Sequence, residues 1–145
     1  MFLVVSQVNM YPLMNQNNRD YFDQQVEWVL ERLPQNVLRL LREVPLHVED
    51  QPSQRLREEL NLADSGELCG YFCGVPYGEG SVYVSSTPLP SSITIFRRGI
   101  ADEARDERGK VSRNSLRQQI RITILHEIAH LHGMDEDEIT EIGYG

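Results

Sequence analysis

Between Leu116 and Glu138 the chain carries a long apolar period with a polar pentad set inside it, His126-Glu127-Ile128-Ala129-His130. Leu116, Ile120, Ile124, Ile128 and Leu131 recur at spacings of four, four, four and three, and Ile122, Leu125 and Ala129 fill a second arc. That pattern predicts a helix with most of its circumference in a core. No proline or glycine interrupts it before Gly133, a residue suited to the left-handed conformation that ends a helix. Ser112, Asn114 and Ser115 are the candidates to cap its N-terminus. A helix of this kind constrains the fold strongly, because other elements must cover it on several sides.

The spacing of the pentad also constrains the chemistry. Histidines four residues apart stand one turn above each other on the same helix face. Both imidazoles can then reach one zinc ion, each at about 2.0–2.1 Å. Glu127 follows His126 by about 100° around the helix. It stays clear of the coordination sphere yet can act as general base toward a water activated by the metal. A catalytic zinc takes three protein ligands and leaves one position open. Past Gly133 the chain reads Met134-Asp135-Glu136-Asp137-Glu138, which offers the third. In the longer H-E-x-x-H-x-x-G-x-x-H signature of metzincins the third histidine falls where this chain has Glu136. Glu136 therefore ranks first as third ligand, with Asp135 and Asp137 as alternates.

Composition narrows the class. A chain of 145 residues with 40% hydrophobic content is long enough for one domain with a sizeable core, and residues 1–145 are read as one domain. Its formal net charge of -8 argues against nucleic acid or an anionic membrane as partner. Cys69 and Cys73 are too few for a disulfide framework, and both are expected to be free, buried thiols. The opening Met1-Phe2-Leu3-Val4-Val5 lacks the charged and long apolar regions of a signal peptide, and no apolar run approaches the length of a membrane span. The expected location is cytoplasmic.

Along the chain, Phe2 to Val8 suggests a short strand or tail, and Met10 to Asn18 an irregular, asparagine-rich stretch. Tyr21 to Arg42 has helical spacing in two pieces broken at Pro34, with Asp20 as candidate cap and Trp28 as a packing residue. Val44 to Asp50 alternates as a strand with His47 on its polar side, and Ser53 to Leu62 suggests a short charged helix capped by Ser53. Glu67 to Tyr77 has strand-forming residues interrupted by Gly70, Gly74 and Pro76, the mark of an edge or of a close backbone approach. Tyr77 to Gly80 is a turn, Ser81 to Ser85 a further strand, and the segment around Pro88 and Pro90 a loop. Ser92 to Phe96 alternates again as a strand, ended by Arg97 and Arg98, which are expected to be solvated or ion-paired. Ile100 to Lys110 suggests a surface helix or ordered loop, and Ile139 to Gly145 one last turn with Ile139 and Ile142 packing back and Tyr144 in reach of the metal site.

The run from His126 through Gly133 to Ile139 resembles the signature of the small bacterial zincin-like metallopeptidases, minimal zincins with a metzincin-like motif. Gly70-Tyr71-Phe72-Cys73-Gly74-Val75-Pro76 is similar to that family's Gly-x-Tyr-x-Gly-x-Pro segment, with Phe72 for its tyrosine. Leu89 to Arg98 is similar to its Leu-Pro-x-x-Ile-x-x-Tyr-Arg segment, again with Phe96 for tyrosine. The family tends to carry aspartate at the position of Glu136 and a bulky residue at that of His132, which here adds a polar group near the site. The resemblance implies a compact α+β fold; with the elements read along the chain, two or three helices, one of them bearing the pentad, are expected to pack against a small mixed sheet of three to five strands. The resemblance also implies a zinc peptidase with one Zn2+ per chain; at 145 residues the cleft can only be shallow, so an extended or unstructured peptide is the expected substrate. It makes the strand at Gly70, Tyr71, Phe72, Cys73 and Gly74 a candidate substrate-binding edge. Three other readings carry the same pentad less well. A peptide deformylase would need a cysteine ligand that Glu67-Leu68-Cys69 matches poorly. An rRNA-maturation endoribonuclease would have a histidine in place of Glu136. A non-catalytic zinc-binding module would keep the fold without turnover.

Overall fold

The computed structural model describes residues 15–62, 68–74 and 91–141. The expectations for Phe2–Val8, Tyr77–Ser85, Pro88–Pro90, Ile142 and Tyr144 lie outside them, as do those for Val75 and Pro76. The described elements are α1 (Gln16–Leu30), α2 (Gln35–Glu43), β1 (Leu46–Glu49), α3 (Gln54–Glu59), β2 (Gly70–Cys73), β3 (Ser92–Phe96), α4 (Arg97–Glu103), α5 (Arg113–Leu131) and α6 (Glu136–Glu141). This is an α+β architecture around a three-stranded mixed sheet of order β1-β3-β2. No helix among the described residues is long and apolar enough to cross a membrane.

The pentad-bearing helix α5 forms for the reasons its sequence gives. Ser112 and Ser115 make a reciprocal capping box at its start, with the Ser115 N–H donating to Ser112 Oγ at 3.0 Å. Leu116, Ile120, Ile124 and Leu131 are fully buried. They meet Phe22, Val26 and Val29 of α1, Ile93 and Ile95 of β3, and Ile100 of α4 in one core cluster. Burying side chains of this size stabilises the fold by about 1.5–3 kcal/mol each.

The sheet is built on β3. Strand β1 runs parallel to it in the register Leu46↔Ile93, and β2 runs antiparallel in the register Gly70↔Ile95. His47 sits on the exposed side of β1, as its alternation predicts. Strand β2 is therefore an edge strand among those described. The Phe96 N–H donates to Cys69 C=O at 2.8 Å, and the ladder alternates from there. Tyr71 and Cys73 bond to β3, while the N–H and C=O of Gly70 and Phe72 point outward from the sheet.

Four expectations need correction. Helix α1 starts at Gln16, not near Tyr21; Asn15, not Asp20, caps it, its Oδ1 accepting from the Asn18 N–H at 2.9 Å. Helix α4 begins directly after β3 and is no surface element: Ile100 and Ala101 are fully buried. Neither cysteine is fully buried, since Cys69 is half-buried and Cys73 exposed. Six helices stand among the described residues, not two or three, the acidic stretch after Gly133 forming α6 from Glu136 onward. Arg97 is ion-paired as expected, at 2.9 Å from both Asp23 and Asp50; Arg98 is buried, and its guanidinium donates to Gln51.

Candidate metal centre

Gly133 sets the geometry of the site. It takes φ 80°, the left-handed conformation. The Gly133 N–H donates to His130 C=O at 2.9 Å and the Met134 N–H to Ala129 C=O at 3.1 Å. That pair of bonds is the Schellman motif. It reverses the chain so that Met134 C=O lies 3.2 Å from His130 Nδ1. A proton on Nδ1 donated to that carbonyl leaves the Nε2 lone pair free for a metal. Asp135 Oδ1 then accepts the Glu138 N–H at 2.9 Å, which orders the first turn of α6. Glu136, the first residue of α6, is swung back over α5.

The result is a convergence of donors. Glu136 Oε1 lies 2.9 Å from His130 Nε2, and Glu136 Oε2 lies 3.4 Å from His126 Nε2. The two imidazoles stand edge to face with ring centroids 4.9 Å apart. Ligands at 2.0–2.1 Å around one tetrahedral ion are roughly 3.3 Å from each other, so the observed separations fit a shared zinc. His126, Glu127 and His130 can also bring ligand atoms within 4.8 Å of one another. The imidazole side chains are 20% and 27% exposed, open enough for a substrate to reach them.

Glu127 is buried at 6% exposure. Burial raises its carboxyl pKa to about 7, and the charge of Glu136 adds to this; the imidazoles of His126 and His130 and the Phe72 N–H pull the other way. The Phe72 bond comes from the outward-facing edge of β2. Gly70 makes that approach possible, since a Cβ there would stand 2.9 Å from Thr123 Cγ2 and 3.0 Å from Glu127 Cγ. The glycine that interrupts the strand pattern thus marks where the strand meets Glu127. Cys69, beside it, is no thiolate: burial and the charges of Glu103 and Glu127 push its thiol up to about 12, against the opposing Thr123 hydroxyl.

These groups open on a cleft of about 670 Å³. The structure brings Gly70, Tyr71, Phe72, His126, Glu127, His130, Asp135 and Glu136 to its wall. It does not bring Cys73, Gly74, His132 or Asp137 there. Cys73 lies next to β3 at the far end of β2, and Asp137 and His132 are exposed elsewhere. Sequence reasoning missed the Met134 carbonyl and the Phe72 N–H, because a backbone group leaves no mark in residue types. It also missed Gln119 and Thr123, which line the cleft and share the helix face of His126; their spacing of seven and three residues before His126 was a readable signal.

A family model described as zincin-like metallopeptidase matches residues 41–145. No curated protein matches the chain. The chain belongs to the zincin-like metallopeptidase family.

Proposed function

We propose that this zincin-like metallopeptidase hydrolyses peptide bonds, with one zinc held by His126, His130 and Glu136 and with Glu127 as general base. The observation that carries the reading is the Glu136 carboxylate spanning both Nε2 atoms, at 2.9 and 3.4 Å, beside a buried glutamate. When bound there, zinc supplies Lewis acidity, which polarises a carbonyl and lowers the pKa of water to roughly 7.

The chain's own groups do the rest. Glu127, held at a raised pKa by burial, takes a proton from the attacking water and returns it to the leaving amine. The Phe72 N–H fixes one carboxylate oxygen, so the base is aimed before substrate arrives. Met134 C=O holds the His130 tautomer. The outward N–H of Gly70 and the C=O groups of Gly70 and Phe72 offer an extended peptide a strand to pair with, the Phe72 N–H being taken by Glu127. Substrates are peptides or unstructured protein segments, since a folded chain cannot lie extended against an edge.

The test is a peptide-library digest by zinc-loaded wild type and Glu127→Gln. Loss of the base is expected to lower the rate by about 10²–10⁴-fold while zinc stays bound. Stoichiometric zinc with no cleavage by wild type of any library member would contradict the reading and favour a zinc-binding module without turnover.

A further inference from the structure

The cleft does not stop at the metal centre. It continues along α5 toward the helix N-terminus, past Thr123, Ile122 and Gln119. Gln119 lies about 10 Å along the axis from His126, at a rise of 1.5 Å per residue. Leu60, Leu68 and Ile122 are apolar residues of the same lining. Glu103, the last residue of α4, also lines the cleft, one turn after Gly99, which packs on Leu68 and Cys69, and Gln119 lines it from α5.

We infer that this arm is a specificity subsite for a lysine or arginine side chain of the substrate, with Glu103 as the residue that selects it. The inference rests on the peptidase reading above and names the substrate class of that site. The chemistry is complementary along the whole length of such a side chain. Its methylene stem wants apolar walls, and its head wants a carboxylate at the far end. Leu60 supports this: it is the one exposed large hydrophobic among the described residues, and it faces this arm.

Two further observations point the same way. Among the described residues no lysine or arginine lines the cleft, whereas Glu103, Glu127, Asp135 and Glu136 do. Among the described residues no ion pair engages Glu103, although arginines elsewhere in the chain are paired with Asp23, Asp50, Glu59 and Asp102. Helix α4 packs directly on the Leu68–Cys69 segment at Gly99, one turn before Glu103, so Glu103 and Cys69 lie side by side on the cleft lining, and the Glu103 charge helps to push the Cys69 thiol up. The wider field of a chain of net charge -8 concentrates cationic peptides at its surface before docking.

Binding is measured apart from turnover with the zinc-loaded Glu127→Gln protein. The probes are fluorescent peptides that carry arginine, glutamine or glutamate at one scanned position, read by anisotropy. At one position arginine is expected to bind about tenfold tighter than glutamine, as a charge-assisted bond with partial exposure gives. Adding Glu103→Gln should bring arginine and glutamine to parity, and Glu103→Arg should shift the preference to glutamate. Equal binding of the peptides at every position overturns the inference, as does an arginine preference that Glu103→Gln leaves intact. Parallel digests with the wild type separate this from the peptidase reading. Arginine-selective binding without any cleavage sinks the peptidase and keeps the subsite; cleavage indifferent to charge keeps the peptidase and sinks the subsite.

Discussion

Glu127 is where the proposed function and stability oppose each other. Its folded-state pKa is raised from 4.5 to about 7, chiefly by burial. The native state therefore holds a proton that the unfolded chain releases near its ordinary value. In the zinc-free protein the native state is favoured below that window, and it loses stability as pH rises through it. Above the window the loss corresponds to about 3 kcal/mol for a shift of that size. Glu127→Gln keeps the shape and removes the charge. Denaturant unfolding of the zinc-free variant is expected to show a gain of a few kcal/mol over wild type at about pH 8, shrinking to nothing below about pH 4.5. A variant no more stable than wild type at the higher pH would show that Glu127 is not held at a desolvation cost. The pentad itself was readable from the sequence, because metal chemistry needs residue types at fixed helical spacing. The ranking of Glu136 over Asp135 and Asp137 was readable only from a signature. The physical reason for the ranking is the turn at Gly133: it directs Glu136 at the imidazoles, employs Asp135 as a cap of α6 and leaves Asp137 off the cleft wall.

At the scale of elements, the sheet and α1 are locked together by one arginine cluster. Arg97, at the start of α4, bonds both Asp23 of α1 and Asp50 after β1, and Arg19 of α1 closes on Asp50 at 2.7 Å. Burial raises the Asp50 pKa, but the two guanidinium groups outweigh it and hold the carboxyl below its ordinary value. A carboxylate held low contributes stability that is present above its unfolded pKa and lost as pH falls through the folded one. Arg97→Met should cost about 1–2 kcal/mol near neutral pH, after allowance for solvent screening at this partly exposed cluster. The cost should fade when unfolding is followed below about pH 4. A pH-independent cost would assign the loss to packing instead. The elements differ in how well the sequence announces them. Strand β3 and helix α5 were legible because both bury a regular face, at period two and period 3.6. The start of α1 was not, because Gln16-Asn17-Asn18-Arg19-Asp20 has no apolar period, and Asn18 is buried only through tertiary packing. Helix α4 was hidden for a related reason: its seven residues are too few to show a period, and Arg97 and Arg98 at its head resemble a surface end.

At the scale of the whole molecule, the fold serves to press one buried helix between an edge strand and a layer of helices. Helix α1 lies outside the matched segment 41–145, yet Phe22, Val26 and Val29 fill the core behind α5. Trp28 of α1 is a packing residue as its spacing suggests, with the guanidinium groups of Arg32 and Arg117 each 3.9 Å from its ring centre. The acidic balance of the chain is legible from composition alone; its concentration at the cleft is not, because Glu103, Asp135 and Glu136 meet there only through the fold. The same assembly makes the central claim measurable in one determination, the zinc content of the purified protein after equilibration with zinc. Wild type and Glu127→Gln are predicted to hold one zinc per chain, His130→Ala none, and Glu136→Gln to bind about tenfold or more weakly. Absence of stoichiometric zinc in the wild type, or undiminished binding by Glu136→Gln, would contradict the site as built from His126, His130 and Glu136.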